Sequence, residues 1–467
     1  METSLVLSRD RVVAWIVIVA LAGLIVRIIG ATGALWLDEA QSAIFAVESG
    51  SIPGVFKTIS HDNNHHLNSV WLLFVGLDAP PLVARALSIL CGSAAIMVAG
   101  LIGLRRSPLA GLVTAALFAF SPALVTLGSE ARGYAGMTLM ALIAILYVDR
   151  WLEGDGKADR PLVIAACFYV GILFQLTMLA FICAIVGWAS LTRCHRDRMR
   201  AALPKLVGIF AVPLIAAVAA TLLAFAPTVS GSSALRFGTY HPFTWPQFIQ
   251  AVVSLIGYTV GVTWEVIWLP LAAVILVILA RNLETSRLPL YWLAIIAFPL
   301  SLAALQVMNI GHPRYFLLAG IALLLLLGEA LAALLRAGGW KRLLASAGLS
   351  FFVSSSAVAS FDLYAAGRGD PAEAIRAMAA RAPQGAELLI NRGTGIPIIR
   401  VAAEEQGYRL RYTTSCPAQR FLFVDRFHVE PMPESQVTQC GVRYAAIASA
   451  HARGMSGQNW TLYERMR

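Results

Sequence analysis

The chain has 467 residues, 58% of them hydrophobic and 13% charged, with a mean hydropathy of +0.72 and a formal net charge of +10. Such a composition excludes an ordinary soluble domain. The basic charge does not signal nucleic acid, because much of it sits in short loops between apolar runs, and no nucleic-acid-binding motif is present.

In chain order, residues 12–30 form the first apolar run, preceded by Arg9 and Arg11. Basic flanks stay in the cytoplasm, so the next loop, residues 31–84, is expected outside. Within it, residues 67–77 are too short for a comfortable span and read as a helix lying at the interface. Further membrane helices are expected at 84–104, 108–127 and 135–150, and two lie in a hairpin over 161–192. Others follow at 205–225, 264–281, 288–307, 314–335 and 343–361. Residues 226–248 make a second outer loop, rich in Gly, Ser and Pro.

The spacing predicts an α-helical polytopic membrane protein of about 11 transmembrane helices by the length criterion. In hydrocarbon, backbone groups must pair within their own segment, which makes these runs helices. All the strongly basic short loops then fall on one side, in agreement with the positive-inside rule. The membrane domain occupies residues 1–361, and residues 362–467 read as a small α/β domain on the outer side. Helices are expected at EAIRAMAARAP and IPIIRVAAEEQG, and strands at AELLIN, YRLRY, FLFVD and VRYAAIAS. An outer compartment permits a Cys416–Cys440 disulfide; the alternative is two free thiols.

Asp38 and Glu39 stand where the chain leaves the first helix. Charges at that depth are costly and usually line a polar cavity that has a task. The plainer reading is that they cap a helix. The outer loops also hold His61, His65, His66, Arg85, Glu130, Arg132, Tyr134, His312, Arg314 and Tyr315. Guanidinium forks match phosphate geometry, and outer arginines run against the positive-inside bias. Snorkelling at helix ends is the other account of Arg132 and Arg314. A carboxylate beside a phosphate-binding Arg suggests group transfer from a lipid phosphate, with Asp38 as base towards an acceptor hydroxyl. His61 and His65, four apart, would share a helix face as metal ligands do, so a divalent metal is one possibility and ordinary polar contacts the other. There is no Walker loop, GxSxG elbow, HExxH motif or nucleotide-sugar-binding domain.

The ordered series LDEA, HHLNSVWLL, PPLVARALSILCG, SPALVTLGSEARGYA and HPRYFLLAGIALLLLLG resembles the GT-C membrane glycosyltransferases. Within these the likeness is to the bacterial branch related to protein O-mannosyltransferases and aminoarabinose transferases (glycosyltransferase families 39 and 83). It covers residues 12–150 well and the RYFLL helix more loosely. The resemblance implies transfer of one sugar from a polyprenyl-phosphate donor to an envelope acceptor: lipid A, another glycan or a protein. It makes Asp38 the base and places Glu39 against donor or acceptor. His65, His66, Glu130, Arg132, Tyr134, Arg314 and Tyr315 become substrate-binding candidates, with Arg314 on the lipid phosphate, and Arg85 becomes structural. The family often has His-Pro-Pro-Leu where this chain has His65-His66-Leu67-Asn68. The implied activity is an inverting glycosyltransferase of the bacterial inner membrane, with its site and tail domain in the periplasm. The competing class is a carrier that moves polyprenyl-linked sugars without chemistry.

Overall fold

A computed structural model describes residues 9–59, 65–154, 160–226, 241–262, 286–427 and 430–466. The expected span at 264–281, His61 and most of the second outer loop lie outside the described residues. The first helices are α1 (Arg9–Gly30), α2 (Leu37–Glu48), α3 (Ile52–Thr58), α4 (His66–Val75) and α5 (Pro81–Leu104). Next come α6 (Pro108–Phe120), α7 (Pro122–Gly128), α8 (Tyr134–Glu153), α9 (Pro161–Phe174), α10 (Met178–Asp197) and α11 (Met199–Ala224). The set ends with α12 (Trp245–Val260), α13 (Leu288–Ala304), α14 (Leu317–Ala337) and α15 (Gly339–Ala366). Seven described helices are long and apolar enough to cross a membrane, and the bent pair α6–α7 makes up to eight. Two expected spans, α9 and α13, are apolar but shorter than that length. The chain is a multi-pass membrane protein.

The expected span at 108–127 is broken by 60° between α6 and α7. Pro122 has no N–H, so the carbonyl four residues earlier, on Phe118, loses its helical donor. Arg27, buried near the end of α1, supplies one: its Nη2 donates to Phe118 O at 3.1 Å and its Nη1 to Ala119 O at 3.2 Å. Ser121 Oγ donates across to the Thr259 carbonyl at 2.8 Å. Where α5 crosses α6 the backbones nearly touch: a Cβ on Gly103 would lie 2.5 Å from Ala110 O. Small residues at such crossings let dispersion replace the hydrophobic drive that lipid removes.

The tail adds α16 (Ala372–Ala379), α17 (Gly395–Glu405) and a six-stranded sheet. Its strands are β1 (Ala386–Ile390), β2 (Leu410–Thr413), β3 (Phe421–Arg426), β4 (Gln436–Gln439), β5 (Val442–Ala450) and β6 (Asn459–Arg465), in the order β2-β1-β3-β6-β5-β4. β1 is parallel to both neighbours, and the remaining pairs are antiparallel. Two strands go beyond the sequence reading. β4 is polar and forms because Cys440 and Gly441, both at positive φ, close a two-residue hairpin onto β5. β6 runs through the sheet centre, and its residues 459–463 are buried on both faces. Cys416 and Cys440 are joined by a disulfide. The membrane domain continues to Ala366, five residues past the expected boundary, as one helix. α17 packs on α2: Ile398 meets Trp36 and Leu37, and Val401 joins the cluster around Ala40 and Leu72. The tail therefore bears directly on the helix that carries Asp38.

Candidate functional site

α2 presents its two acids in different directions, because successive helical residues lie about 100° apart. Glu39 turns inward and has no exposed surface. Its carboxylate accepts from Arg85 Nε at 2.8 Å and Nη2 at 2.6 Å, from Ala131 N at 2.6 Å, and from Trp36 N at 3.3 Å. The last contact caps the helix start. Arg85 also donates to the carbonyls of Ala31, Gly33 and Ala34. Glu39 was expected against donor or acceptor; here both of its oxygens accept from protein donors, and its pair with Arg85 ties α2 to α5. Burial would raise its carboxyl, and Arg85 more than offsets this, holding it below the ordinary range.

Asp38 faces the opening, with its side chain 22% exposed. Its Oδ2 lies 2.9 Å from Arg132 Nη1 and 2.9 Å from Arg314 Nη1. Burial pushes this carboxyl up, but Arg132, Arg314, His312 and His65 together pull it below the usual carboxylate range. Asp38 is therefore ionised at neutral pH.

Arg132 sits in the turn between α7 and α8, and the turn is fixed from several sides. Ser88 Oγ donates to Arg132 O at 2.7 Å, and Asn68 Nδ2 donates to Ala131 O at 2.6 Å. A Cβ on Gly133 would fall 1.8 Å from Phe174 O, so a side chain there would force the turn away. The guanidinium lies over Tyr134 at 5.0 Å and Trp36 at 5.9 Å, aromatic faces that favour a cation. His65 braces it. Phe174 O can only accept, so His65 Nδ1 donates to it at 3.3 Å, and Nε2 accepts from Arg132 Nε at 3.2 Å. Burial, then the charge of Arg132, lowers the His65 pKa well below the ordinary histidine value.

His65 Nε2 is turned to Arg132, and no group of three metal-binding side chains occurs among the described residues, which do not include His61. His66 is buried, lies parallel to the Phe56 ring at 5.1 Å, and has no hydrogen-bond partner at either nitrogen among the described residues. Glu130 is likewise fully buried and turned to the tail, where Ser456 Oγ donates to its Oε1. Burial pushes its carboxyl up. Tyr134 contributes its ring face to Arg132. Tyr315 packs beside the Phe248–Phe316 cluster and meets His312 edge-on at 5.7 Å.

The structure brings Asp38, His65, Arg132, Tyr134 and Arg314 together from four separated segments. It adds Trp36, which gave no polar signal in the sequence, and places His312, one of the outer-loop residues, near Asp38. With His65 neutral, one carboxylate faces two guanidinium groups. That surplus of positive charge suits a monoanion such as a phosphodiester.

No family model and no curated protein matches the sequence. Solved structures do match in fold. ArnT from Cupriavidus metallidurans, bound to undecaprenyl phosphate, is 13% identical, with a TM-score of 0.57 over 96% of this chain and 98% of that one. The chain has the GT-C fold. An oligosaccharyltransferase from Archaeoglobus fulgidus, tethered to an acceptor peptide containing the NVT sequon, is 12% identical with a TM-score of 0.52. That match spans 86% of this chain and 64% of the oligosaccharyltransferase.

Proposed function

We propose that this GT-C chain is an inverting glycosyltransferase that moves one sugar from a polyprenyl-phosphate donor to an envelope acceptor. The observation that carries the reading is the pairing of Asp38 with Arg132 and Arg314, each at 2.9 Å. The donor phosphate takes the guanidinium groups, and Asp38, freed of them, becomes a stronger base. It removes the proton from an acceptor hydroxyl, whose oxygen attacks the anomeric carbon. The bond from that carbon to the phosphate oxygen breaks, and polyprenyl phosphate leaves with the electron pair. Arg132 and Arg314 meet the developing charge. Asp38 then returns its proton to solvent.

A single displacement inverts the sugar. Retention by double displacement calls for a second working carboxylate. Glu39 and Glu130 are both buried and turned away, which supports inversion. That ArnT was solved with undecaprenyl phosphate supports a donor of the same class. The site lies on the tail face, opposite the basic turn at Arg105 and Arg106, which supports a periplasmic site in a bacterial inner membrane.

The test uses the full-length chain in lipid nanodiscs, a panel of synthetic undecaprenyl-phosphate monosaccharides and an envelope extract as acceptor. Asp38→Asn is expected to fold normally and lose about 10²- to 10⁴-fold in rate. Removing the competing carboxylate leaves donor binding intact or tighter. Normal turnover by this variant would sink the proposal, and so would turnover by no donor in the panel. A carrier would move the lipid with no dependence on Asp38.

A further inference from the structure

Two side chains of the tail reach into the membrane domain. Arg368 is 1% exposed. Its Nη1 donates to Gly30 O at 2.7 Å, and its Nη2 donates to Ser129 Oγ at 2.8 Å and to Thr126 O at 3.3 Å. Gly30 ends α1, and Thr126 lies in the last turn of α7, where its carbonyl also accepts from Ser129 N at 3.2 Å; both carbonyls belong to helix ends, which need partners from outside the helix. One guanidinium thus closes two helix ends and meets their partial negative charge.

Its placement is set by backbone. Gly367, Arg368 and Gly369 take successive positive φ values of 49°, 54° and 75°. The left-handed region is strained for a non-glycine residue such as Arg368. The turn is held by Trp460 Nε1 donating to Gly369 O at 2.6 Å, Gln458 N donating to Arg368 O at 3.2 Å, and Ala34 N donating to Asp370 Oδ1 at 2.9 Å.

Both tail residues converge on the turn that carries Arg132. Ser456 Oγ donates to Glu130 Oε1, and Arg368 Nε lies 3.9 Å from the same oxygen. From the membrane side, Glu39 holds the next residue of that turn, Ala131. The turn is therefore gripped between the tail and the membrane helices, two residues from the guanidinium that faces Asp38.

We infer that the tail domain, through Arg368 and Ser456 acting on Glu130, positions Arg132 for transfer. Arg368, Ser456 and Glu130 are positioning residues that need not touch substrate. The inference rests on the proposed role of Arg132 at the donor phosphate. The tail is then part of the reaction machinery and not a separate module hung on the last helix.

The test uses the full-length chain, the assay described above and the donor from the panel that turns over. Arg368→Met is expected to lower kcat about 10- to 100-fold, the range a misplacement near 1 Å produces. The donor KM should change by less than about 3-fold, because a displaced guanidinium loses more in the transition state than in the ground state. The loss leaves Glu130 buried without its cation, so adding Glu130→Gln should restore kcat by at least about 5-fold. Mere damage to the fold would not be repaired in this way. Wild-type kcat in Arg368→Met, or a loss that Glu130→Gln does not repair, overturns the inference. If Arg368→Met does not yield folded protein, Ser456→Ala decides: a kcat reduced about 3-fold or more at unchanged melting temperature supports positioning, and wild-type kcat overturns it. Asp38→Asn runs alongside. If it turns over normally, the glycosyltransferase reading fails whatever Arg368 does; if it is inactive while Arg368→Met matches wild type, only the positioning role fails.

Discussion

Replacing Arg314 by Gln removes one of the two cations at Asp38 and keeps a polar side chain of similar reach. At 2.9 Å, with an effective permittivity of about 20, the bare attraction is about 6 kcal/mol. Desolvation offsets most of that, since the Arg314 side chain is only 18% exposed. A charge-assisted hydrogen bond to phosphate nets about 1.5–3 kcal/mol, so the donor KM should rise about 10- to 100-fold. The pH profile should move as well. Asp38 works as the carboxylate, and Arg314 is one of the groups that hold its carboxyl below the ordinary range. Without it, burial counts for more, and the acid limb of kcat/KM shifts to higher pH. In the wild type, the acid limb of kcat should lie above that of kcat/KM, because bound phosphate draws the guanidinium groups off Asp38. Steady-state kinetics across pH with a defined undecaprenyl-phosphate sugar reads both effects. A donor KM within 2-fold of wild type and an unmoved acid limb would refute the assignment of Arg314 to the phosphate.

Glu39→Gln should cost about 3–5 kcal/mol, because it strands the Arg85 guanidinium with no exposed surface; a thermal melt in detergent that matches wild type would contradict the locking role. Glu39 is held below its ordinary range, so its contribution to stability is present above pH of about 4 and is lost as the pH falls through the folded value. Arg27→Met removes the donors to Phe118 and Ala119 at the α6–α7 break and should cost about 1–3 kcal/mol per orphaned carbonyl, seen as a lower melting temperature and faster amide exchange around residue 122. Burial lowers the His66 pKa to about 4, so unfolding takes up a proton as the pH falls from about 6.5, and stability declines over that window. His66→Phe should keep the stack on Phe56 and flatten the decline, as melts at pH 7 and pH 5 would reveal.

The fold was legible where one physical term dominates. Apolar runs of bilayer length must become helices, and those at α1, α5, α8 and α14 did so near their expected bounds. The break after Phe120 was masked because the flanking residues stay apolar, and Pro122 alone does not say whether neighbours will satisfy the freed carbonyls. Arg27, 95 residues away, does so. In the site, Asp38 and Glu39 are adjacent acids with the same local signature. Which of them faces the opening is decided by Arg85, a long-range partner that no local pattern names. The Gly367-Arg368-Gly369 turn is equally silent in sequence, because its meaning lies in helix ends and a turn more than 200 positions away.

The opposite face of the membrane domain shows what distinguishes a site from a staple. There, among the described residues, Arg105, Arg106 and Arg287 meet Asp149, Glu153 and Glu329. Arg287 is fully buried, with Nη2 2.7 Å from Asp149 Oδ2, and Tyr291 donates to Glu329 at 2.8 Å. The partners described there are protein, so an incoming anion would have to break buried pairs at several kcal/mol each. A carrier needs favourable sites for its anionic cargo on both faces, and the described residues of this cluster are committed to one another. At the tail face, among the described residues, two guanidinium groups share one carboxylate that stays partly exposed, so the proposed phosphate would add to the pairing there instead of breaking it. Chemistry at one face is the outcome this asymmetry favours.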